Sequence, residues 1–235
     1  MKKILIYLYI GFSLVSCKQG TEKSTYISVL ADKTSDNMSS PTIQDIYQVL
    51  ENGKEVTTAV TFSYQIISNT DINKRHTLSL PPYSMFENTL KRKSEVNRFF
   101  NAIDTLFHRQ QAIQYEYNRS HIFVPLIQQL ETLQQSDATE KVVLLYSDLV
   151  EHSSLFNGYK NSQKQNADAI VDLFRSQLPS NSYHGITLYI NYYPTTPLEN
   201  QRFSDFCKIY KAVFKDTGLK IRIGMDKQIS LNHEN

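Results

Sequence analysis

The five residues Val142-Val143-Leu144-Leu145-Tyr146 are apolar without a break, over the length of one strand. A strand with no polar face must be covered on both sides. A parallel sheet between two helical layers provides that cover, and a half-solvated antiparallel sheet does not. The run ends in Ser147 and Asp148, and an earlier run over 26–31 ends in the same way, in Asp32. Ligands of open parallel sheets lie beyond the carboxyl ends of the strands. Two acids at two such ends therefore mark a candidate oxygen-rich pocket for a hard divalent cation.

Hydrophobic periodicity predicts strands over 26–31, 58–68, 77–80, 142–147, 186–192 and 219–223. It predicts helices over 42–50, 86–111, 122–133, 165–177 and 198–215. This order gives an α/β fold, a doubly wound, mostly parallel sheet flanked by helices. In the helix over 86–111, Val96, Phe99, Phe100, Ile103, Leu106 and Phe107 form the apolar stripe. Lys91, Arg92, Lys93, Glu95 and Arg98 are expected on its solvated face. Pro125 suits a first helical turn, and Gly218 is expected to cap the last helix.

The chain opens with Lys2 and Lys3, followed by an apolar stretch over 4–14. That is too short to span a bilayer and fits a secretory signal. The junction Leu14-Val15-Ser16-Cys17 resembles the lipobox of bacterial lipoproteins, which implies acylation of Cys17 as the first mature residue. A cysteine in an ordinary signal peptide is the alternative. The expected organisation is a signal peptide over 1–16, a lipidated tether over 17–24, one domain over 25–228 and a polar tail over 229–235. Of the 25 Lys and Arg residues, Lys2 and Lys3 fall in the signal, which holds no acid. The remaining bases balance the 23 acids, so charge gives no reason to expect nucleic acid. Membrane attachment is expected through lipid on Cys17, in the bacterial cell envelope. Lys18, in place of an Asp, favours the outer membrane.

With Cys17 acylated, Cys207 has no disulfide partner and reads as a small buried hydrophobe. The 7 glycines form neither a phosphate loop nor a dinucleotide fingerprint, and the 6 histidines show no zinc spacing. His121 and His152 flank site candidates but are expected to support rather than ligate. Glu151 is read as an outer acid or a helix N-terminal charge. Tyr115, Tyr117, Tyr192 and Tyr193 are either part of a binding surface or amphipathic residues at sheet edges.

The order strand, Asp32-Lys33-Thr34-Ser35-Asp36, helix, long helical region and strand-Asp148 resembles the von Willebrand factor A (vWA) domain. In that family an Asp-x-Ser-x-Ser motif after the first strand forms a metal-ion-dependent adhesion site. A middle-loop Thr and an Asp after the fourth strand complete it. The resemblance implies Asp32, Thr34, Asp36, Ser120 and Asp148 as metal-site residues, with Mg2+ or Mn2+ as the ion. Asp36 stands where the family has Ser, which adds charge and alters the site. Read singly, Asp32, Asp36 and Asp148 are also good helix caps or turn formers.

Three functions follow as expectations. The first is a lipid-anchored, non-enzymatic binding module that engages a protein partner, with or without a bridging divalent cation at such a site. The second is a metal-free scaffold of the same fold in an envelope or mobile-element assembly. The third is a Mg2+-dependent phosphoester hydrolase with Asp32 at its centre. Against the third, Thr34 stands where haloacid-dehalogenase-like enzymes carry a second Asp, and no Gly-x-Ser-x-Gly elbow exists.

Overall fold

The computed structural model describes residues 23–34, 38–50, 56–67, 74–84, 88–113, 119–161, 166–179 and 182–224. Among the described residues the sheet has six strands, β1 (Ser24–Ala31), β2 (Ala59–Ile66), β3 (His76–Leu80), β4 (Glu140–Tyr146), β5 (Ile186–Asn191) and β6 (Lys220–Gly224). Their spatial order is β3-β2-β1-β4-β5-β6. Only the edge strand β3 runs antiparallel to its neighbour. The helices are α1 (Ile43–Val49), α2 (Thr89–Gln111), α3 (Phe123–Gln134), α4 (Gly158–Asn161), α5 (Ala167–Arg175) and α6 (Pro197–Val213).

The two faces of β1 show why the chain needs both helical layers. Ile27, Val29 and Ala31 join a core with Ile46 of α1 and Phe99, Phe100 and Ile103 of α2. Leu30 joins the other core with Phe123 and Leu126 of α3, Phe174 of α5 and Tyr210 of α6. Alternate strand residues point to opposite faces, so each strand residue is assigned to a layer by its parity. β4 follows the same rule, with Val142 and Leu144 on the first side and Val143 and Leu145 on the second.

Local chemistry sets the helix starts. Thr42 and Asp45 form a reciprocal capping box for α1, and Thr196 and Glu199 form one for α6, with Pro197 as the first helical residue. Asn88 and Asn166 cap α2 and α5 through their side chains. Helix α2 begins at Thr89, later than expected, because the Asn88 side chain accepts from the Leu90 N–H. β1 begins at Ser24, earlier than its apolar run, because the Ser24 N–H donates to Thr139 Oγ1 beside the start of β4.

Two expectations are corrected. Arg92 does not lie on the solvated face of α2. It is buried, and its guanidinium donates to the carbonyls of Val56 (3.0 and 2.9 Å) and Pro81 (2.7 Å). It ties the helix start to the segments before β2 and after β3. Gly218 does not cap α6, which ends at Val213 with Phe214 as its cap. Gly218 instead turns the chain into β6 at φ +78°, where a Cβ would run into the His184 ring.

Candidate functional site

Because Ala31 and Tyr146 are paired in register, Asp32 and Ser147 leave the sheet side by side. The Asp32 N–H donates to the Tyr146 carbonyl at 2.8 Å, which extends the ladder by one bond. Its carboxylate is fully buried. Oδ1 accepts from the Thr34 N–H (3.0 Å) and Thr34 Oγ1 (2.7 Å). Oδ2 accepts from Ser120 Oγ (2.9 Å) and Ser147 Oγ (3.1 Å). A buried carboxylate is tolerated only with such donors around it. Asp32 is therefore no helix cap; Thr42 has that role for α1.

Ser120 is held in place by backbone pairing. Its N–H donates to the His152 carbonyl (3.1 Å), and the His152 N–H donates back to the Ser120 carbonyl (2.8 Å). Next to this bridge, Glu151 Oε2 accepts from the N–H groups of Ile122 and Phe123, each at 2.9 Å. These are free donors at the start of α3, whose cap position Ile122 has no side-chain acceptor. Glu151 thus serves as a helix N-terminal charge, for a helix that precedes it in sequence. Burial pushes its carboxyl above the usual range, against hydrogen bonds from Ser153 and the two N–H groups.

Asp148 lies at the rim of the same edge. Its Oδ1 accepts from the Val150 N–H (2.9 Å), and Ser147 Oγ accepts from the Leu149 N–H (3.0 Å). Between these two turns Leu149 sits at φ +65°, a left-handed conformation that costs a leucine about 1–2 kcal/mol. The Leu149 side chain is fully buried in the core, which holds the loop in that shape. The Asp148 carboxyl is pushed up to about 7, first by burial and then by Asp32 and Glu199, while the Val150 N–H and Arg202 pull it down. Around it stand Tyr159, Tyr192 and Arg202, with the Arg202 guanidinium 5.4 Å from the Tyr159 ring centre. Burial and the Asp148 charge push the Tyr192 hydroxyl up to about 12.

Asp32, Thr34, Ser120 and Asp148 are thus brought to one edge of the sheet. Asp36, Cys17, Tyr115 and Tyr117 lie outside the described residues. Ser147 was missed by sequence reasoning, although a hydroxyl directly before the strand-end Asp was the available signal. Arg202 and Tyr159 had no local signal, since they reach the site from α6 and α4.

The donors suit an oxygen-seeking ion such as Mg2+ or Mn2+, two carboxylates and three hydroxyls with no soft ligand. Among the described residues no three His, Cys, Asp or Glu side chains cluster so as to hold a metal. An ion here would therefore draw on the hydroxyls and water in addition to Asp32 and Asp148.

No protein-family model matches this chain, and no curated protein matches it in sequence. Among solved structures it is similar to an aspartate-to-alanine mutant of the PilB minor pilin from Streptococcus sanguinis, with a TM-score of 0.50 and 9% identity. That match covers 89% of this chain but only 59% of the pilin chain. The unmutated PilB minor pilin superposes at a TM-score of 0.49, also at 9% identity and with the same coverage. The SpRpn10 VWA domain matches at 0.36 and 9% identity, over 86% of this chain and 88% of that one. Among the described residues, the strand order β3-β2-β1-β4-β5-β6 with helices on both faces makes this an α/β, vWA/Rossmann-like fold. Ser120, the residue expected to stand for the middle-loop hydroxyl, lies within hydrogen-bond distance of Asp32 at the end of β1.

Proposed function

We propose that this chain is a lipid-anchored protein of the bacterial cell envelope whose vWA-like domain binds a protein partner and performs no catalysis. Acylated Cys17 holds it to the membrane. Asp32, Thr34, Ser120, Ser147 and Asp148 form the contact pole, where Mg2+ or Mn2+ would supply a positive centre for an oxygen ligand from the partner. The observation that carries this reading is Asp148. Half-buried at the same strand-end edge as Asp32, its carboxyl is pushed up to about 7, first by burial and then by the Asp32 charge, against the Val150 N–H and Arg202. A divalent ion is the chemistry that relieves such a pair.

The test is thermal unfolding of the purified protein in EDTA, Mg2+, Mn2+ and Ca2+, beside Asp148→Asn. The asparagine keeps an acceptor for the Val150 N–H but removes the charge. An ion at 100 times its dissociation constant adds about 2.7 kcal/mol, and the substitution should abolish that shift.

One observation favours a second reading, a metal-free scaffold. Both oxygens of Asp32 already accept two donors each from within the chain. A scaffold predicts that no divalent ion moves the melting temperature.

A further inference from the structure

The parallel register fixes which end of the domain the tether leaves. β1 starts at Ser24, and the starts of β2, β4, β5 and β6 lie with it at the edge opposite Asp32 and Asp148. Helix α2 also starts there, because Arg92 in its first turn is bonded to the carbonyls of Val56 and Pro81. Beside it, Leu90 is 73% exposed, the most exposed large hydrophobic side chain among the described residues. Lys23, Lys91, Lys93, Lys215 and Lys220 are exposed at the same end, against the acids Asp137, Glu140 and Asp216.

Covalent geometry supplies the second constraint. Seven residue steps separate Cys17 from Ser24 and span at most about 25 Å fully extended. The eight residues of β1 alone rise about 26 Å from that end to the site. The whole tether would have to run taut along the domain for the site to meet the membrane that holds Cys17.

We propose that the end bearing the strand starts rests on the anchoring phospholipid surface, with Leu90 in the headgroup region and the lysines among the phosphates, so that the Asp32–Asp148 pole points away from that membrane. An exposed apolar side chain flanked by lysines suits an anionic lipid surface. This inference rests on acylation of Cys17. It adds that the partner must approach from the side opposite the anchoring membrane.

The experiment uses the full acylated protein in phosphatidylethanolamine–phosphatidylglycerol vesicles, carrying Leu90→Cys or Tyr193→Cys labelled with a fluorophore. Acylated Cys17 has no free thiol. Cys207 is buried with its thiol pushed up to about 12, so the label goes to the introduced cysteine. Headgroup-nitroxide lipids should quench the label at position 90 several-fold more than the label at position 193, which lies just past β5 at the site end. Equal or reversed quenching with Cys17 acylated overturns the orientation and leaves the anchor standing. An intact mass showing unmodified Cys17 overturns the anchor and the orientation together.

Discussion

Ser120 Oγ donates to Asp32 Oδ2 at 2.9 Å across 88 residues of sequence, joining the loop before α3 to the end of β1. With Ser147 on the same oxygen, it keeps a buried carboxylate from being short of donors. Ser120→Ala should cost about 1.5–3 kcal/mol, the usual range for a hydrogen bond to a charged group. Ser120→Thr, which keeps the hydroxyl, should cost less. Urea denaturation of both variants measures the difference.

Arg92 separates one charge from the run that surrounds it. Arg92→Lys loses the fork that reaches the carbonyls of Val56, Thr58 and Pro81, and should destabilise by about 2 kcal/mol. Lys91→Ala next to it, exposed and ion-paired with Glu95 at 3.6 Å, should stay within about 0.5 kcal/mol. Equal effects in a denaturant midpoint comparison would sink this assignment.

Gly218→Ala combines a left-handed backbone with a collision against His184, and should lower stability by more than about 1 kcal/mol. Gly224→Ala meets nothing within 4 Å and should be close to neutral. Calorimetric melting of the two variants tests the turn.

The raised carboxyls set the pH dependence. A carboxyl that holds its proton longer in the folded chain than in the unfolded one favours folding at low pH. For Asp148 that contribution is complete below its ordinary value of 3.8 and is lost as pH rises to about 7. Glu151, also raised, has the same sign. In EDTA, the urea midpoint should therefore fall between about pH 4 and 7, and Asp148→Asn should flatten the slope, leaving the part due to Glu151. A midpoint that rises across this window in wild type would contradict the raised Asp148 carboxyl.

The sequence made the strand-end acids and the parallel sheet legible because an all-apolar run followed by Asp has few places to go. Ser120 was singled out only through the family resemblance, and its hydrogen bond to Asp32 has no local pattern behind it. Arg92 was misplaced because helical spacing orders residues on a wheel but does not say which neighbouring loops close over the first turn. Glu151 was read as either an outer acid or a helix N-terminal charge, and its contacts to the Ile122 and Phe123 N–H groups fit the second. That the helix was α3, earlier in the chain, depended on the Ser120–His152 bridge, which no local pattern encodes. Gly218 was assigned to the wrong element because a glycine between a helix and a strand suits either end of the turn. The short helix α4 (Gly158–Asn161) carries no periodicity long enough to read.

The most direct test of the central claim is a Mn2+ titration followed by electron paramagnetic resonance, on wild type and on Asp148→Asn. A single site at the Asp32–Asp148 pole predicts loss of the free-ion signal at one equivalent per chain in wild type, and none in the variant. Free Mn2+ undiminished by millimolar concentrations in wild type would contradict the cation site and leave the metal-free scaffold as the account of this fold.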